Sequence, residues 1–418
     1  MRAVILFVII AIASACHAAT PKLHFEWKQI DYTWDSPESR SNAIKEKRYI
    51  PENNLPLAIA PWKKKIFLSV PRWRTGVVSS LNYIDMDGPK DQLLKPYPSF
   101  KDNFVSDTAT DIPTNRTVIS AYRMYVDTCD RLWVLDSGVA NSEGAANQIA
   151  RSSLVIFDLK TDQLVRRHTF EKDIVKENFL VANLAVDVTK DTCDNAYAYV
   201  CDTGGKAIVV YNLKEDASWR ITHHYFHFDP VAGSYNVSGV KFRWDSGIIA
   251  IALSEPKEDG YRTVYLHALS STKEFFVSTK VLQNYRSLDK DEAFDDFKLL
   301  GDRGKNTQST SNYYEPKTQV LFYTQLKRNG VACWNSNKPF TEENNVLLFS
   351  DPELYDFTND LRIDDEGTVW VMVNKVPRFL YGKMDYNIIN YRIYGISATE
   401  AIRGTACQQG GEQYRKPL

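Results

Sequence analysis

Six stretches of this chain repeat one pattern, in which a short apolar strand rich in β-branched and aromatic residues is followed by a turn and a second apolar strand. The first strands begin at Ile66, Leu132, Tyr197, Ile248, Val320 and Val369. Their partner strands begin at Val77, Ser153, Ala207, Thr263, Gly330 and Tyr386. Sheets repeated roughly every 50 to 70 residues are typical of propellers with long connecting loops. We therefore predict an all-β fold, a six-bladed β-propeller.

Further alternating runs precede several of these pairs, and they are typical of half-buried antiparallel strands. They begin at Ile119, Phe179, Val237 and Phe357. The N-terminal run from Leu23 to Tyr32 alternates in the same way. Because closure of a ring protects sheet edges, we expect this run to close the propeller by pairing with the last blade, near Phe357 to Ile396. The polar segments Lys90 to Asn115 and Val281 to Ser311 are expected to be long surface connections.

The N-terminus has the three regions of a cleaved secretory signal. Arg2 is followed by a short apolar run to Ile12 and then by small residues up to Ala19. Residues 1–19 are therefore predicted to be a signal peptide, residues 20–407 a single propeller domain and residues 408–418 a polar tail. A lipoprotein-type cut before Cys16 is the alternative. Since no later stretch is long and apolar enough to span a membrane, we expect a secreted, extracellular protein.

The charge balance argues against two classes of partner. The chain has 51 basic and 52 acidic residues. It therefore lacks the electrostatic footprint expected for binding to nucleic acid or to an anionic membrane.

The cysteines predict two disulfides in an exported protein. Cys129 and Cys193 occupy matching polar turns before the strands at Leu132 and Tyr197, and matching turns of adjacent blades lie side by side. This leaves Cys333 to bond Cys407 near the C-terminus. The remaining thiol, Cys201, lies within a strand and is expected to be buried and inert rather than redox-active.

Two sequons lie between strands and predict glycosylation in a secreted protein. Their acceptor residues are Asn115 and Asn236.

Several long motifs in one order carry a family resemblance. They are DTCDRLWVLDSG from Asp127, CDNAYAYVCD from Cys193, ACWN from Ala332, NDLRIDDEGTVWVMVNKVP from Asn359 and AIRGTAC ending at Cys407. With these motifs the chain resembles the insect yellow and major royal jelly protein family over nearly its whole mature length. The resemblance implies a six-bladed propeller, secretion and the same two disulfides. It also implies one of several roles: cuticle pigmentation, dopachrome conversion, amine binding, or a nutritive or signalling role.

In a propeller the innermost strands converge on a central channel, so ligand sites are expected at its mouth. Polar residues near the ends of the predicted strands are Asn183, Asp136, Asp202, Glu255, Asn359, Asp360 and Asn374. The resemblance to amine-binding members implies ligand contacts for Phe357, Asn359 and Asn374, to which we add Asn183. This chain departs from that pattern, because Asn359 replaces a shorter hydroxyl side chain and Val376 stands where a second aromatic residue would lie. The alternative is that these polar side chains only cap turns and strand ends.

Dopachrome rearrangement requires a base at a ring carbon and a proton donor at an oxygen that becomes a phenol. The candidate bases are Asp136, Asp202 and Asp360, with Asn374 as a partner that steadies the developing oxyanion. The leading hypothesis is a secreted pigmentation protein that binds, and converts, a small catechol-derived aromatic molecule. The alternative is a non-catalytic extracellular binder of biogenic amines or a structural protein.

Metal sites are weakly indicated. His223, His224 and His227 invite a zinc interpretation, but the segment alternates like a strand, so only His223 and His227 share a face. An outer-strand surface location is favoured, and no metal site is predicted from these residues. No cofactor is expected, with calcium held by channel carboxylates and amides as the alternative. The turn DTGGKA from Asp202 follows a strand but opens no helix, so it is not a nucleotide loop.

Overall fold

The structure is a computed structural model that describes residues 20–103, 105 and 117–409. The predicted all-β, six-bladed propeller is confirmed by six four-stranded antiparallel sheets within these residues. Blades 1 to 3 consist, from the axis outward, of Ala58–Trp62, Lys65–Ser69, Leu81–Asp85 and Lys95–Pro96; of Ala121–Val126, Arg131–Asp136, Ser153–Asp158 and Gln163–Thr169; and of Val181–Asp187, Tyr197–Asp202, Ala207–Asn212 and Ala217–Thr222. Blades 4 to 6 consist of Ile248–Leu253, Thr263–Ala268, Lys273–Ser278 and Lys298–Asp302; of Asn312–Glu315, Val320–Gln325, Gly330–Asn335 and Val346–Ser350; and of Thr358–Ile363, Thr368–Val373, Tyr391–Ser397 and Lys22–Trp27.

The innermost strand of each blade contacts the innermost strand of the next, and that of blade 6 contacts that of blade 1. In blade 6 the N-terminal strand Lys22–Trp27 pairs antiparallel with Tyr391–Ser397, so the two ends of the propeller chain share one sheet. The α-helices are Pro37–Lys45, Thr279–Asn284, Lys290–Asp295, Val376–Tyr381 and Ala398–Ala401. None of the helices among these residues has the length and apolar character needed to cross a membrane.

The second strands are buried on both faces because each blade is packed between two others. All residues of Arg131–Asp136 are buried, and Trp133 packs between blades 2 and 3. Deleting a buried aromatic side chain of this kind costs about 3–5 kcal/mol. The packing between blades therefore supplies much of the stability of the ring.

One turn is built twice from an aspartate and a tryptophan. Asp127 accepts hydrogen bonds from the backbone N–H of Arg131 at 3.0 Å and from Trp133 Nε1 at 2.7 Å. In blade 6, Asp364 accepts in the same way from a backbone N–H four residues later and from Trp370 Nε1, the latter at 2.7 Å. The carboxylate thus fixes both the turn and the tryptophan that enters the core.

Both predicted disulfides are present, Cys129–Cys193 and Cys333–Cys407. The first joins the turns of blades 2 and 3, and the second joins blade 5 to the C-terminal segment. Cys201 is buried without a disulfide partner, and burial raises the pKa of its thiol. A thiol in this state is a poor nucleophile.

Three local predictions were wrong. The run from Val237 is not part of blade 4. It forms a separate hairpin, Ser234–Val237 with Val240–Arg243, whereas the innermost strand of the blade is Ile248–Leu253. The alternation of a free hairpin and that of a blade strand are the same, so the pattern could not separate them.

The segment 281–311 is also more than a surface connection. It contains most of helix Thr279–Asn284, all of helix Lys290–Asp295 and the outer strand of blade 4, and its last residues are buried. Ser309, Thr310 and Ser311 are polar, but their hydrogen bonds to Thr324 allow them to be buried.

The histidine segment does not continue as a strand. The outer strand of blade 3 ends at Thr222, and a 3₁₀ turn follows at His224–Phe226. His223 is buried, 4% exposed, and its ring stacks on Phe297, so the predicted surface location is wrong for this residue. No group of three or more metal-ligating side chains occurs among the described residues.

The predicted signal peptide, the acceptor Asn115 and the tail from residue 410 lie outside the described residues. Asn236 lies on the hairpin Ser234–Arg243 and is exposed. Its glycosylation stays a prediction.

Candidate functional site: the central channel

One end of the channel is closed by a roof. The roof consists of the hairpin Ser234–Arg243, from the connection between blades 3 and 4, and the helix Val376–Tyr381, from blade 6. Trp244 Nε1 donates to the Tyr381 hydroxyl at 2.6 Å, and the rings of Phe242 and Tyr381 stack at 5.5 Å. Since these elements come from opposite sides of the ring, they cover the axis.

The predicted ligand residues at this end lie beneath the roof. Phe357 is 1% exposed and contacts the Trp244 ring edge to face at 6.2 Å. Asn374 Nδ2 donates to the carbonyl of Pro56 at 2.9 Å, and Asn359 Nδ2 donates to the carbonyl of Leu57. Phe357, Asn359 and Asn374 are therefore brought together, but both amides hold blade 6 to the start of blade 1. Their role in ligand binding stays a prediction.

A guanidinium cluster lies deeper in the channel and consists of Arg123, Arg362, Asp360, Asn183 and Asn359. Arg123 Nη1 pairs with Asp360 Oδ1 at 2.9 Å, and Arg362 Nη2 donates to Asn183 Oδ1 at 2.9 Å. Each of these side chains belongs to a residue that is at most 3% exposed. The cluster carries two guanidinium groups and one carboxylate. Burial, opposed by Asp360, lowers the pKa of Arg123.

Asp360, one of the three predicted bases, is fully committed inside this cluster. It accepts hydrogen bonds from the backbone N–H of Ile59 at 3.0 Å and from the Ser311 hydroxyl at 3.0 Å, besides pairing with Arg123. Both of its oxygens therefore already accept from groups of the scaffold. The cationic cluster also fits calcium poorly, because Asn183 and Asp360 already direct their oxygens at guanidinium groups.

Asp136 and Asp202 occupy equivalent places in blades 2 and 3, away from this cluster. Asp136 accepts from the backbone N–H of Ser120 at 2.8 Å and pairs with Arg167 at 3.1 Å. Asp202 accepts from the backbone N–H of Leu180 at 2.8 Å and pairs with Arg220 at 2.7 Å.

In each blade the arginine comes from the fourth strand and the backbone donor from the segment at the start of the first strand. These contacts join the first and fourth strands of one blade. The structure does not bring Asp136, Asp202 and Asp360 together. A catalytic role for any of them stays a prediction.

The other end of the channel is an open cavity of about 370 Å³, here called the axial cavity. This volume lies within the usual range of ligand sites, about 300–1,000 Å³. The cavity is lined by the ends of the innermost strands of blades 2 to 6 and by the turns that follow them. Its polar and aromatic lining residues include Tyr125, Asp127, Glu255, Arg262, Tyr313, Tyr314, Glu315, Lys317, Asp364 and Asp365.

Tyr125 and Tyr313 form the floor of the axial cavity. They come from blades 2 and 5, their rings stack at 6.0 Å, and their hydroxyls lie 3.3 Å apart. Burial raises the pKa of both phenols, so both are protonated at neutral pH. Arg123 precedes Tyr125 by two residues on the same innermost strand, so both side chains face the axis and Arg123 lies further from the cavity. The guanidinium cluster therefore lies behind this floor.

Glu255 lies in the wall of the cavity and is partly exposed. Its Oε1 accepts a long hydrogen bond from Gln319 Nε2 at 3.4 Å, whereas its Oε2 has no hydrogen-bond partner among the described residues. Arg262, opposite in charge, is held by Asp187 at 2.7 Å and by the carbonyl of Ser254 at 2.8 Å. Among the carboxylates of this cavity that are not fully exposed, Glu255 is therefore the one least committed to the scaffold.

Sequence reasoning placed Glu255 near a strand end but missed Tyr125, Tyr313 and Arg262. Their positions in the strands could have indicated the two tyrosines. Tyr125 lies near the end of the innermost strand Ala121–Val126, and Tyr313 lies within the innermost strand Asn312–Glu315. Which of the two channel ends is open could not be predicted, because the roof hairpin was assigned to a blade.

Comparison with known proteins identifies the family. The family model described as major royal jelly protein matches residues 119–407. The chain is 36% identical to L-dopachrome tautomerase yellow-f of Drosophila melanogaster, over 92% of this chain and 93% of that protein. It is 34% identical to dopaminechrome tautomerase of the same species, over 92% and 83% of the two chains, and 34% identical to its protein yellow, over 94% and 72%. The chain therefore belongs to the yellow and major royal jelly protein family.

Proposed function

We propose that this protein is a secreted tautomerase of catechol-derived aminochromes of the dopachrome type, acting in pigment formation, and that the axial cavity is its active site. Two relatives are named for such conversions. The observation that supports the assignment to this cavity is that Glu255, with one carboxylate oxygen that has no hydrogen-bond partner among the described residues, lines the same cavity as the stacked pair Tyr125 and Tyr313. An aromatic floor, a base and phenolic donors are the groups that this isomerisation needs.

The reaction moves protons and leaves the composition of the substrate unchanged. Glu255 takes a proton from a carbon of the five-membered ring, and the electron pair of the broken C–H bond moves through the conjugated system to a quinone oxygen. That oxygen takes a proton from the Tyr125 or Tyr313 hydroxyl, and the phenol regains one from solvent or from Glu255. This first transfer, from the ring carbon that carries two hydrogens, gives a quinone methide tautomer. A second proton leaves the adjacent ring carbon for Glu255 or solvent, and the other quinone oxygen gains one, so two protons leave carbon, two are gained at oxygen, and the product is the dihydroxyindole isomer.

The guanidinium cluster behind the floor favours one orientation of the ring. Charge that develops on the quinone oxygens is stabilised by nearby cations in a site of low dielectric constant. The quinone end therefore points towards Arg362 and the five-membered ring towards Glu255.

The test is the loss of dopachrome absorbance with purified protein against a heat-inactivated sample. Glu255→Gln keeps the size of the side chain and removes the base, and we expect kcat/KM to fall about 10²-fold or more, the usual contribution of a general base. Tyr313→Phe keeps the stack and removes one donor, and should lower kcat with little change in KM. Glu177→Gln, at an exposed carboxylate away from the cavity, is the matched control and should leave the rate unchanged. Decay at the rate of the heated sample would exclude the enzyme, and an unchanged rate in Glu255→Gln would exclude this site.

A second function is favoured by the carboxylates around the cavity. A stacked tyrosine pair beneath an acidic rim is also a plausible receptor for an aromatic amine. Under this alternative the protein binds dopamine or serotonin without turnover. Calorimetric titration separates the two, because a binder gives saturable heat while dopachrome decays at the background rate.

A further inference from the structure

We propose that the axial cavity selects aminochromes that lack a carboxylate over those that carry one, through an excess of negative charge at its mouth. The inference rests on the proposed function for the identity of the substrate, but its physical basis is the charge of the lining residues. A decarboxylated, dopaminechrome-type ring is then the better substrate and dopachrome the poorer one.

The lining carries five carboxylates and two cations. The carboxylates belong to Asp127, Glu255, Glu315, Asp364 and Asp365, and the cations to Arg262 and Lys317. Asp127 is neutralised by Arg131 at 2.7 Å, and Arg262 by Asp187 at 2.7 Å. Four carboxylates and one ammonium group remain outside ion pairs among the described residues, so the mouth is negative.

These carboxylates differ in how firmly they are held. Glu315 accepts from the backbone and the hydroxyl of Thr318, and Asp364 accepts from Trp370 Nε1. Such neutral donors hold the side chain in place and do not cancel the charge of a carboxylate, as an ion pair would. Asp365 is exposed at the rim, and Glu255 is partly exposed. The negative field is therefore built into the turns that frame the mouth.

The orientation of the ring decides which substituent meets this field. With the quinone oxygens directed at the guanidinium cluster, the ring nitrogen and the adjacent carbon point outward. In dopachrome that adjacent carbon bears the carboxylate, which would then lie among like charges. Juxtaposed like charges disfavour the wrong partner and slow its approach. An uncarboxylated aminochrome has no such group, and its partly cationic nitrogen is attracted instead.

The first measurement is kcat/KM for dopaminechrome and for dopachrome at low ionic strength. We expect a ratio of about ten or more in favour of dopaminechrome, falling towards one as salt screens the rim charges. Asp365→Asn should lower the ratio and Lys317→Gln should raise it, and neither residue belongs to the proposed catalytic groups. Glu177→Gln, an exposed carboxylate away from the cavity, is the matched control and should leave the ratio unchanged. A ratio at or below one in the unmodified protein, or one insensitive to both rim variants, would overturn the proposal.

The second measurement does not require turnover. Calorimetric binding of 5,6-dihydroxyindole and of its 2-carboxylic acid compares the same ring with and without the charge. Tighter binding of the uncarboxylated ring, with a difference between the two rings that Asp365→Asn reduces, supports charge selection. If neither aminochrome is converted, this result still holds and only the tautomerase assignment fails. Equal binding of the two rings contradicts charge selection even where both aminochromes are converted.

Discussion

Tyr125 and Tyr313 are separated by 188 positions in the chain, and yet their rings stack at 6.0 Å with an interplanar angle of 15° across the propeller axis. They come from blades on opposite sides of the ring. The pair divides the channel into an open axial cavity on one side and the buried guanidinium cluster on the other. A ligand that enters the cavity therefore meets an aromatic surface backed by positive charge.

This pair should couple energetically. Stacked aromatic pairs contribute about 0.5–1.5 kcal/mol beyond the area they bury. In a double-mutant cycle of Tyr125→Leu and Tyr313→Leu, we expect a coupling free energy of unfolding in that range, measured by denaturant titration. The cycle Tyr125→Leu with Tyr314→Leu is the control, since no ring contact joins those two residues among the described ones. Additive effects for Tyr125 and Tyr313 would show that their stack contributes nothing to stability.

The three aspartates predicted as bases should instead affect stability. In Asp360→Asn, Arg123 and Arg362 lose the only carboxylate of the cluster, and breaking a buried ion pair costs about 3–5 kcal/mol. Asp136→Asn and Asp202→Asn should also destabilise the fold, because each loosens an arginine and backbone donors in its blade. Thermal unfolding measures the loss, and kcat/KM per folded molecule should stay within about twofold for Asp136→Asn and Asp202→Asn. A large fall in turnover with an unchanged melting temperature would restore the catalytic interpretation.

The sequence predicted the blades well because each blade is a local pattern of alternating strands. It predicted the Cys129–Cys193 disulfide from matching turns, and the Cys333–Cys407 disulfide from the cysteines that this pairing leaves and from the family resemblance. Asn183, Asn359 and Asp360 were expected at the mouth of the channel, and the structure places them deeper, in the guanidinium cluster. The sequence could not predict that Asp360 is saturated by donors, since Arg123 and Ser311 come from other blades. The Tyr125–Tyr313 contact could not be predicted for the same reason. Strand alternation shows which face of a strand a residue lies on, but not which residue of another blade it contacts across the propeller axis.

His223 should make the stability of the fold depend on pH. Burial lowers the pKa of its imidazole from 6.5 to about 4, although the carbonyl of Phe294 partly opposes the shift. The folded protein therefore holds this histidine neutral, while the unfolded chain binds a proton below pH 6.5. Stability is full above pH 6.5 and is lost as the pH falls towards 4, by up to about 2–3 kcal/mol.

The comparison is with His223→Gln, which does not titrate. Its free energy of unfolding should be lower than that of the unmodified protein at pH 7.5, and the difference should shrink towards pH 4.5. His224→Gln, at an exposed neighbour, is the control. A difference that is constant over this pH range would show that His223 titrates alike in the folded and unfolded states.

The two ends of the channel offer competing carboxyl groups, and one pair of variants decides between them. Beneath the roof, burial raises the pKa of Asp356, and Lys375 Nζ lies 3.7 Å from its Oδ2. Asp356 Oδ1 has no hydrogen-bond partner among the described residues, so it resembles Glu255 in having a free oxygen. The two residues differ in position, because Asp356 is 5% exposed beneath the roof whereas Glu255 is partly exposed in the lining of the axial cavity.

If substrate enters through the axial cavity, Asp356→Asn should leave kcat/KM within about twofold while Glu255→Gln lowers it about 10²-fold. Tyr381→Phe removes the hydroxyl that accepts from Trp244 and loosens the roof, and it too should leave turnover unchanged because the roof is not the entrance. Initial rates with an aminochrome substrate measure all three. The reverse pattern, with a strong loss in Asp356→Asn and a faster rate in Tyr381→Phe, would place both the entrance and the base at the roofed end, since a looser roof speeds passage only if substrate crosses it.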